Sequence, residues 1–460
     1  MSFTLLGLIP VALAFGQTEA RVTQLPFVQL GNRIANGADS FAITWHTTNA
    51  VATYKLSFTQ GKETQQARVS YRNVNIETAE PHRVYTAILS GYRPGEKLTY
   101  ALSQDGNVVY EGEVAAPKTE KQAYTFAVFG DCGRNTPQQA KISYQTYLKR
   151  PDFLVLTGDI VYNSGRISEY QKNFFPFYTG KTASPETGSP LISSTLTVGV
   201  PGNHDILDRE LAKNPDLLAY YYYWTQPLNG PLTTVGGKST PTLSGPFERQ
   251  NAILKAAGDR YPRMSNFSFD YGNSHWTVLD ANRYVDWSDP ALRNWLKEDL
   301  AKAAKKTWRF VTFHQPGFHS SATHQQEKQM RQVADLFEAG KVDVVFNGHV
   351  HNYQRTFPIQ SGDKAGKSTE ELAKDDWAVD KKYDGKKVTR AKGVLYIVDG
   401  AGGAPLYNNE LNDKPDQWKP FQANYIADYG FSFVKINGRK LSLVQIDMNG
   451  KQVDAITITK

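Results

Sequence analysis

The chain has 460 residues, 40 % of them hydrophobic and 21 % charged, with a net charge of +7 and one cysteine. That length allows two or three domains with cores of their own, and the mild positive charge suits an anionic substrate but is too weak to mark a nucleic-acid binder. With Cys132 alone, an intrachain disulfide and a thiolate zinc cluster are excluded, so any metal must be held by His, Asp, Glu, Asn or Tyr.

The first stretch, MSFTLLGLIPVALAFGQTEA, has an apolar core from Phe3 to Phe15 that is too short to span a bilayer. Ala14-Phe15-Gly16 offers a small-x-small cleavage site, so residues 1–20 read as a secretory signal peptide and the protein as secreted or periplasmic. No basic residue precedes the core, which leaves a mis-set start or an apolar N-terminal strand as the alternative. No later segment is apolar enough to cross a membrane, and no membrane span is expected.

Residues 21–118 read as β structure. FAITWHT alternates from Phe41, TYKLSFT from Thr53, and RVYTAILSGYRPGEKLTYAL gives two strands around a Pro94-Gly95 turn. Short strands at regular spacing predict a β-sandwich. The pattern Leu89-Ser90-Gly91-x-x-Pro94-x-x-x-Leu98-x-Tyr100 resembles a fibronectin type III strand pair, with Tyr100 as a structural corner tyrosine. The polar connector Ala116 to Ala123 marks the boundary, and residues 123–460 form the second unit.

Beyond it, short apolar strands (YTFAVFG, DFLVLTG, TLTVGVPG, HWTVLD, WRFVTFH, DVVFNG, VLYIVDG) alternate with segments of helical period. In DPALRNWLKEDLAKAAKK, Asp289-Pro290 opens a helix whose apolar face is Leu292, Trp295, Leu296, Leu300 and Ala303-Ala304. A second helix is expected from about Gln325 to Gly340. This rhythm predicts a layered α/β domain with its active groups on loops at strand ends. The charged stretch Lys364 to Lys392 reads as a solvated insertion. The chain ends in three alternating strands joined at Asn437-Gly438 and Asn449-Gly450.

Oxygen and imidazole side chains stand where those strands stop. VFGDCG places Asp131, LTGDIVY places Asp159 and Tyr162, VPGNHD places Asn203 and His204, VTFHQP places His314, and NGHVH places His349 and His351. A single Gly-Asp pair after a strand is ordinarily a turn, and two histidines can be hydrogen-bonded turn residues. The whole set in one domain reads as a metal site. If residues 349–351 are extended, both imidazoles point the same way.

The series GDxG, GDxxY, GNHD, a lone His after a strand and GHxH resembles the metallophosphoesterases, specifically the purple acid phosphatases, over roughly 220 residues from Asp131 to His351. LPFVQLG, from Leu25, matches the N-terminal domain that many of these enzymes carry. The resemblance implies a layered α-β-β-α sandwich preceded by an immunoglobulin/fibronectin-like one. It also implies a dinuclear centre: Asp131, Asp159, Tyr162 and His351 on one ion, with Asp159 bridging to a second ion held by Asn203, His314 and His349. A bridging carboxylate keeps two cations about 3.5–4 Å apart, an arrangement that clamps a phosphoryl group.

Most metallophosphoesterases begin this series with Asp-x-His. Here Gly133 takes the His position and Tyr162 appears three residues past Asp159. The resulting third anionic ligand offsets the extra charge of Fe(III), so the resemblance implies Fe(III) plus a divalent ion (Zn, Mn or Fe). An Fe(III)-bound water should deprotonate well below the value of about pH 7 reached on zinc, and the hydroxide would attack phosphorus in line. His204, beside Asn203, is placed to protonate the leaving group, and His324 fits the family's additional histidine, with His319 the weaker candidate. An acidic pH optimum follows. Cys132 reads as a packed residue and Arg355 as a structural one, and His46, His82 and His275 receive no role.

The reading is therefore a secreted acid phosphatase acting on a small phosphorylated substrate, a phosphate monoester, with no stable nucleic-acid complex. The alternatives are a phosphodiesterase or nucleotidase on the same dinuclear site, and an adhesion protein with a relict metal domain. Residues 164–190 and 205–250 are expected to form the pocket walls. The oligomeric state and the identity of the divalent ion stay open.

Overall fold

In the computed structural model, residues 19–33, 37, 39–240, 242–361, 371 and 377–460 are described. The apolar leader and much of the charged stretch from Lys364 lie outside them. Eight strands come first: β1 Val22–Gln29, β2 Phe41–Thr48, β3 Tyr54–Gln60, β4 Glu63–Gln66, β5 Arg68–Val74, β6 His82–Leu89, β7 Lys97–Gln104 and β8 Asn107–Ala115. They form two facing sheets, β1-β2-β6-β5 and β4-β3-β7-β8. Alternation along β2 sends Phe41, Ile43 and Trp45 into the space between them, where Trp45 stacks on Tyr85 at 5.3 Å.

The second unit supplies β9 Tyr124–Phe129, β10 Phe153–Leu156, β11 Leu196–Gly199, β12 Phe267–Tyr271, β13 Ser274–Val278, β14 Trp308–Thr312, β15 Val344–Asn347, β16 Tyr353–Thr356, β17 Ile359–Gln360, β18 Ala378–Val379, β19 Leu395–Asp399, β20 Gln422–Ile426, β21 Gly430–Asn437, β22 Lys440–Asp447 and β23 Gln452–Thr459. One sheet runs β23-β22-β21-β9-β10-β11 and continues without a break into β1-β2-β6-β5, through a parallel contact at Gln29 and Thr197. The other runs β12-β13-β14-β15-β19-β16-β20. Between the two sheets, Phe126 meets Trp276 edge-on at 5.1 Å, and Trp276 meets Phe310 at 4.6 Å. Such aromatic pairs add about 0.5–1.5 kcal/mol each beyond the area they bury.

Helices cover the outer faces, completing α-β-β-α layers. The helix Pro137–Lys149 lies on one side with a cluster that includes Ile142, Tyr170 and Phe174. On the other, the helix Pro290–Lys302 starts where Asp289 Oδ1 accepts from Ala291 N–H at 2.8 Å and Leu292 N–H at 3.3 Å. It buries Leu292, Leu296 and Leu300, while Trp295 is half-buried and Ala304 exposed. The helix expected from Gln325 to Gly340 is only partly formed: a 3-10 turn spans Gln329–Val333 and an α-helix Ala334–Ala339. Upstream of Gln329 the chain is diverted, because His324 adopts a left-handed φ of 62° and its ring turns toward His349. Tyr100 also departs from the corner arrangement. Its hydroxyl leaves the sandwich and donates to Ser193 O at 2.7 Å, in the short helix Leu191–Ser194 of the second unit.

Candidate metal centre

The loops after β9 and β10 are laced together. Asp131 N–H donates to Gly158 O at 2.9 Å and Cys132 N–H to Asp159 O at 3.2 Å. Both aspartates take a left-handed φ, 57° at Asp131 and 48° at Asp159, and both are buried. For a residue with a Cβ this conformation is strained, and such strain gathers at functional sites. Asp131 Oδ2 accepts from His349 N–H at 2.8 Å, and its Oδ1 accepts from the Tyr162 hydroxyl at 2.9 Å. His351 Nε2 lies 3.3 Å from the same Oδ1 and 3.1 Å from the Tyr162 oxygen. Asp159 Oδ1 accepts from His204 N–H at 2.9 Å and sits 3.1 Å from His314 Nε2.

Two glycines allow this approach. A Cβ at Gly202 would stand 2.1 Å from Asp159 N and 2.2 Å from its Oδ1. A Cβ at Gly133 would stand 1.9 Å from Ile160 O, so no imidazole can enter there, and Tyr162 N–H instead donates to Gly133 O at 3.1 Å.

The histidines are oriented from behind. His314 Nδ1 meets Thr157 O at 2.8 Å and His351 Nδ1 meets Pro405 O at 2.7 Å, so each carries its proton on Nδ1 and turns Nε2 to the aspartates. The condition of an extended 349–351 segment is not met at His349. Its φ is 69°, and the segment folds through close turns, with Val350 N–H on Gly348 O at 2.8 Å. That twist aims the His349 backbone donor at Asp131 and sends its ring toward His314, 5.0 Å away between centroids. The two imidazoles therefore reach different sides of the carboxylate pair.

Asp159, His314 and His349 offer ligand atoms within 4.8 Å of one another. His314 Nε2, His349 Nε2 and Asn203 Oδ1 are buried with no hydrogen bond of normal geometry. These three ligand atoms, two of them met only by carboxylate oxygens at 3.1 Å (Asp159) and 3.0 Å (Glu327), lie beside two buried aspartates and make a set that fits a pair of cations.

The electrostatics agree with that fit. Burial works against the Asp159 carboxylate, but His314, with His204 and His349, outweighs it and holds the group well below the usual range. Burial likewise opposes His314, which Asp159 and Asp131 nonetheless lift to about 10. The two aspartates thus favour a positive charge beside His314. Burial, then Asp131 and Asp159, push the Tyr162 phenol far up, so ligation would have to displace its proton. Asp205 is raised to about 7 by burial and Asp159, against the pull of the Gly202 and Ile160 N–H groups it accepts from.

His204 lies at the mouth, its ring 4.5 Å from that of Tyr162 and its Nδ1 2.6 Å from Asn163 O. His324 lies across the site, its ring 4.1 Å from His349. His319, the weaker candidate, is buried, and burial with neighbouring His349 brings it down to about 3. Arg355 has the structural role expected, pairing with Asp454 at 2.7 Å, and Cys132 is packed in the core.

Two neighbours were not read from the sequence. Glu327 bridges His324 Nδ1 at 3.1 Å and His349 Nε2 at 3.0 Å, and those two contacts, His324 first, hold its carboxylate well below the usual range. Tyr407 stacks on His351 at 4.1 Å. Glu327 stands three residues past His324 in an unremarkable polar run, and no strand end flags Tyr407. Of the pocket walls expected, Tyr220 to Tyr223 are instead fully buried core.

Comparison with known proteins follows the same lines. A family profile described as calcineurin-like phosphoesterase matches residues 124–353. Purple acid phosphatase 23 of Arabidopsis thaliana is 27 % identical over 304 residues, 62 % of this chain and 57 % of that protein. Purple acid phosphatase 15 of the same plant is 28 % identical over 62 % of this chain and 49 % of its own length. Probable inactive purple acid phosphatase 27, also from A. thaliana, is 23 % identical over 82 % of this chain and 58 % of its own. The chain thus spans about half the length of the curated relatives it matches. Among solved structures, the purple acid phosphatase PPD1 from yellow lupin seeds superposes with a TM-score of 0.64 at 17 % identity, covering 94 % of this chain and 74 % of that one. PhoD superposes at 0.56 and 11 % identity, covering 94 % and 92 %. At those identities both speak for the fold alone.

Proposed function

The chain belongs to the calcineurin-like phosphoesterase family, and from that premise we propose that it is a secreted acid phosphatase hydrolysing phosphate monoesters with an Fe(III)–M(II) pair. The observation that carries this reading is the set of buried ligand atoms, His314 Nε2, His349 Nε2 and Asn203 Oδ1, gathered around Asp131 and Asp159. Asp131, Asp159, Tyr162 and His351 would hold one ion, and Asp159, Asn203, His314 and His349 the other. When bound, such a pair supplies an activated water and a Lewis acid for the phosphoryl oxygens.

The chain's own groups supply the rest. His204, anchored through Nδ1 on Asn163 O, keeps Nε2 for proton donation to the leaving oxygen. His324, anchored through Nδ1 on Glu327, keeps Nε2 for a phosphate oxygen. Glu327 must release His349 Nε2 for that nitrogen to ligate, and it can do so while still orienting His324. The complete donor set speaks against a relict site, and the apolar leader supports export. The test is metal content together with rates on an aryl phosphate monoester and its bis-aryl diester. The proposal expects two metals per chain and faster monoester turnover, with both lost in His349→Ala. Faster diester turnover on the same metals would transfer the reading to a phosphodiesterase.

A further inference from the structure

A second concentration of buried polar groups lies under the N-terminal sandwich, on the face of β2, β5 and β6 turned away from its core. Thr44 and Thr86 are direct cross-strand partners, and neither hydroxyl has a hydrogen-bond partner among the described residues. In the neighbouring row Val84 pairs with His46 on one side and with Arg72 on the other. His46 Nε2 and Arg72 Nε are unpartnered too. Strand alternation puts all of these on one face.

The segment Tyr222 to Gln226 is laid across it. Gln29 pins it, donating from Nε2 to Tyr223 O at 2.9 Å and accepting from Thr225 N–H at 2.7 Å. The Tyr223 ring stands 4.3 Å from that of His46, and Arg72 donates to Tyr222 O. Gln226 is 1 % exposed, and both atoms of its amide lack partners. Arg260 Nη2 reaches toward Thr225 Oγ1 at 3.5 Å.

Four orphaned polar atoms on this face and two more on Gln226, at the end of the segment laid over it, favour a polar occupant, because a buried donor or acceptor without a partner is strongly unfavourable. The set is rich in donors: two hydroxyls, an amide N–H2, a guanidinium N–H and a second guanidinium beside it. No carboxylate among the described residues pairs with Arg72 or Arg260, and Asp259, next to Arg260 in sequence, is the acid that acts on it. Burial and then Arg260 work against the charge of Arg72, while burial brings Arg260 down to about 10. Burial, first among the causes, lowers both His46 and His82, which face the same layer. The layer thus presents cationic donors that no carboxylate among the described residues pairs with directly, Asp259 acting on Arg260 only through its charge. Thr44, Thr86 and Gln226 are closed off, while each arginine keeps part of its surface exposed although Arg72 Nε is itself buried.

We propose that this layer is a binding site for a phosphate-sized oxyanion, gripped by Arg72 and Arg260 and seated on Thr44, Thr86 and Gln226. The site shares no residue with the candidate metal centre. A seated anion would link β2, β5 and β6 to the segment that carries Gln226, tying the sandwich to the phosphoesterase unit.

The test is calorimetric titration of the metal-loaded, full-length protein with inorganic phosphate. Two binding events per chain are expected, one of them abolished by His349→Ala and the other by changes in the layer. Thr86→Val, which removes one donor at nearly constant volume, should weaken the second event about tenfold, the loss expected for one charge-assisted hydrogen bond. Initial turnover rates in phosphate-free buffer should not change. Arg72→Gln should weaken the same event further, and crystals soaked in phosphate should show a tetrahedral group in the layer. A single event that disappears entirely with His349→Ala would overturn the proposal. So would an unchanged second event in Thr86→Val, or a layer filled by water alone in the soaked crystals.

Discussion

Replacing Gly202 with alanine adds one methyl group where the chain presses against Asp159. Gly202 has φ −97°, a conformation open to any residue, so the substitution carries no backbone strain and its effect is purely spatial. The added carbon would lie 2.1 Å from Asp159 N and 2.2 Å from Asp159 Oδ1. Ordinary contacts begin above 3 Å, so the two loops must separate by about 1 Å, and one of the atoms struck is backbone that cannot rotate aside. Overpacking of this kind typically costs about 1–3 kcal/mol of stability. A misplacement of about 1 Å at a reacting centre costs about 10²-fold in rate. Gly202→Ala should therefore melt slightly below the parent, bind less metal, and turn over an aryl phosphate about a hundredfold more slowly. Metal analysis, thermal melting and steady-state kinetics on one preparation check all three. A Gly202→Ala protein with full metal content and parental kcat would refute the claim that Asp159 is positioned through this contact.

His204→Asn should lower kcat by about 10²–10⁴ while leaving metal content intact, with the greatest loss on esters whose leaving groups are poor; a leaving-group series checks it. Asp454→Asn strips the buried Arg355 of its 2.7 Å partner and should destabilise the fold by about 3 kcal/mol without altering KM, measured by urea unfolding beside kinetics. His275 supplies a pH prediction. Burial opposes its charge, but hydrogen bonds to Asp270 and Asp299 lift it to about 9. A group raised in the folded state stabilises fully below its unfolded value of about 6.5, and that stability is lost as pH climbs through about 9. Unfolding free energy should thus fall by up to about 3 kcal/mol between pH 6 and 10, and His275→Gln should flatten that fall.

The strands of the second unit were legible because each is a short apolar run, rich in β-branched and aromatic residues, that stops at a small or polar residue. Apolar composition sets burial, and the stop sets where a loop begins, so Asp131, Asp159, Asn203, His314 and His349 could be placed at strand ends from spacing alone. Their backbone conformations could not. The left-handed turn at His349 exists because its N–H bonds to Asp131, 218 positions away, and no local pattern encodes that partner. The incomplete helix before Gln329 has the same origin: the period is helical, but the contacts of His324 and Glu327 with His349 override it.

Long-range geometry hid three further features. The joining of the two units into one sheet depends on Gln29 meeting Thr197, and the anchor of Tyr100 on Ser193 is equally non-local. The run Tyr220 to Tyr223 has no amphipathic period to read, since its hydroxyls go to unrelated places, Tyr220 to Gly199 O at 3.0 Å and Tyr223 to His82 Nε2 at 3.1 Å.

The central claim is that Tyr162 ligates Fe(III) in a two-metal phosphatase, and a visible absorption spectrum of the oxidised, metal-loaded protein tests it most directly. The account predicts a broad band that disappears in Tyr162→Phe while metal remains bound. An active, metal-loaded protein with no such band, or a band that survives in Tyr162→Phe, would contradict it.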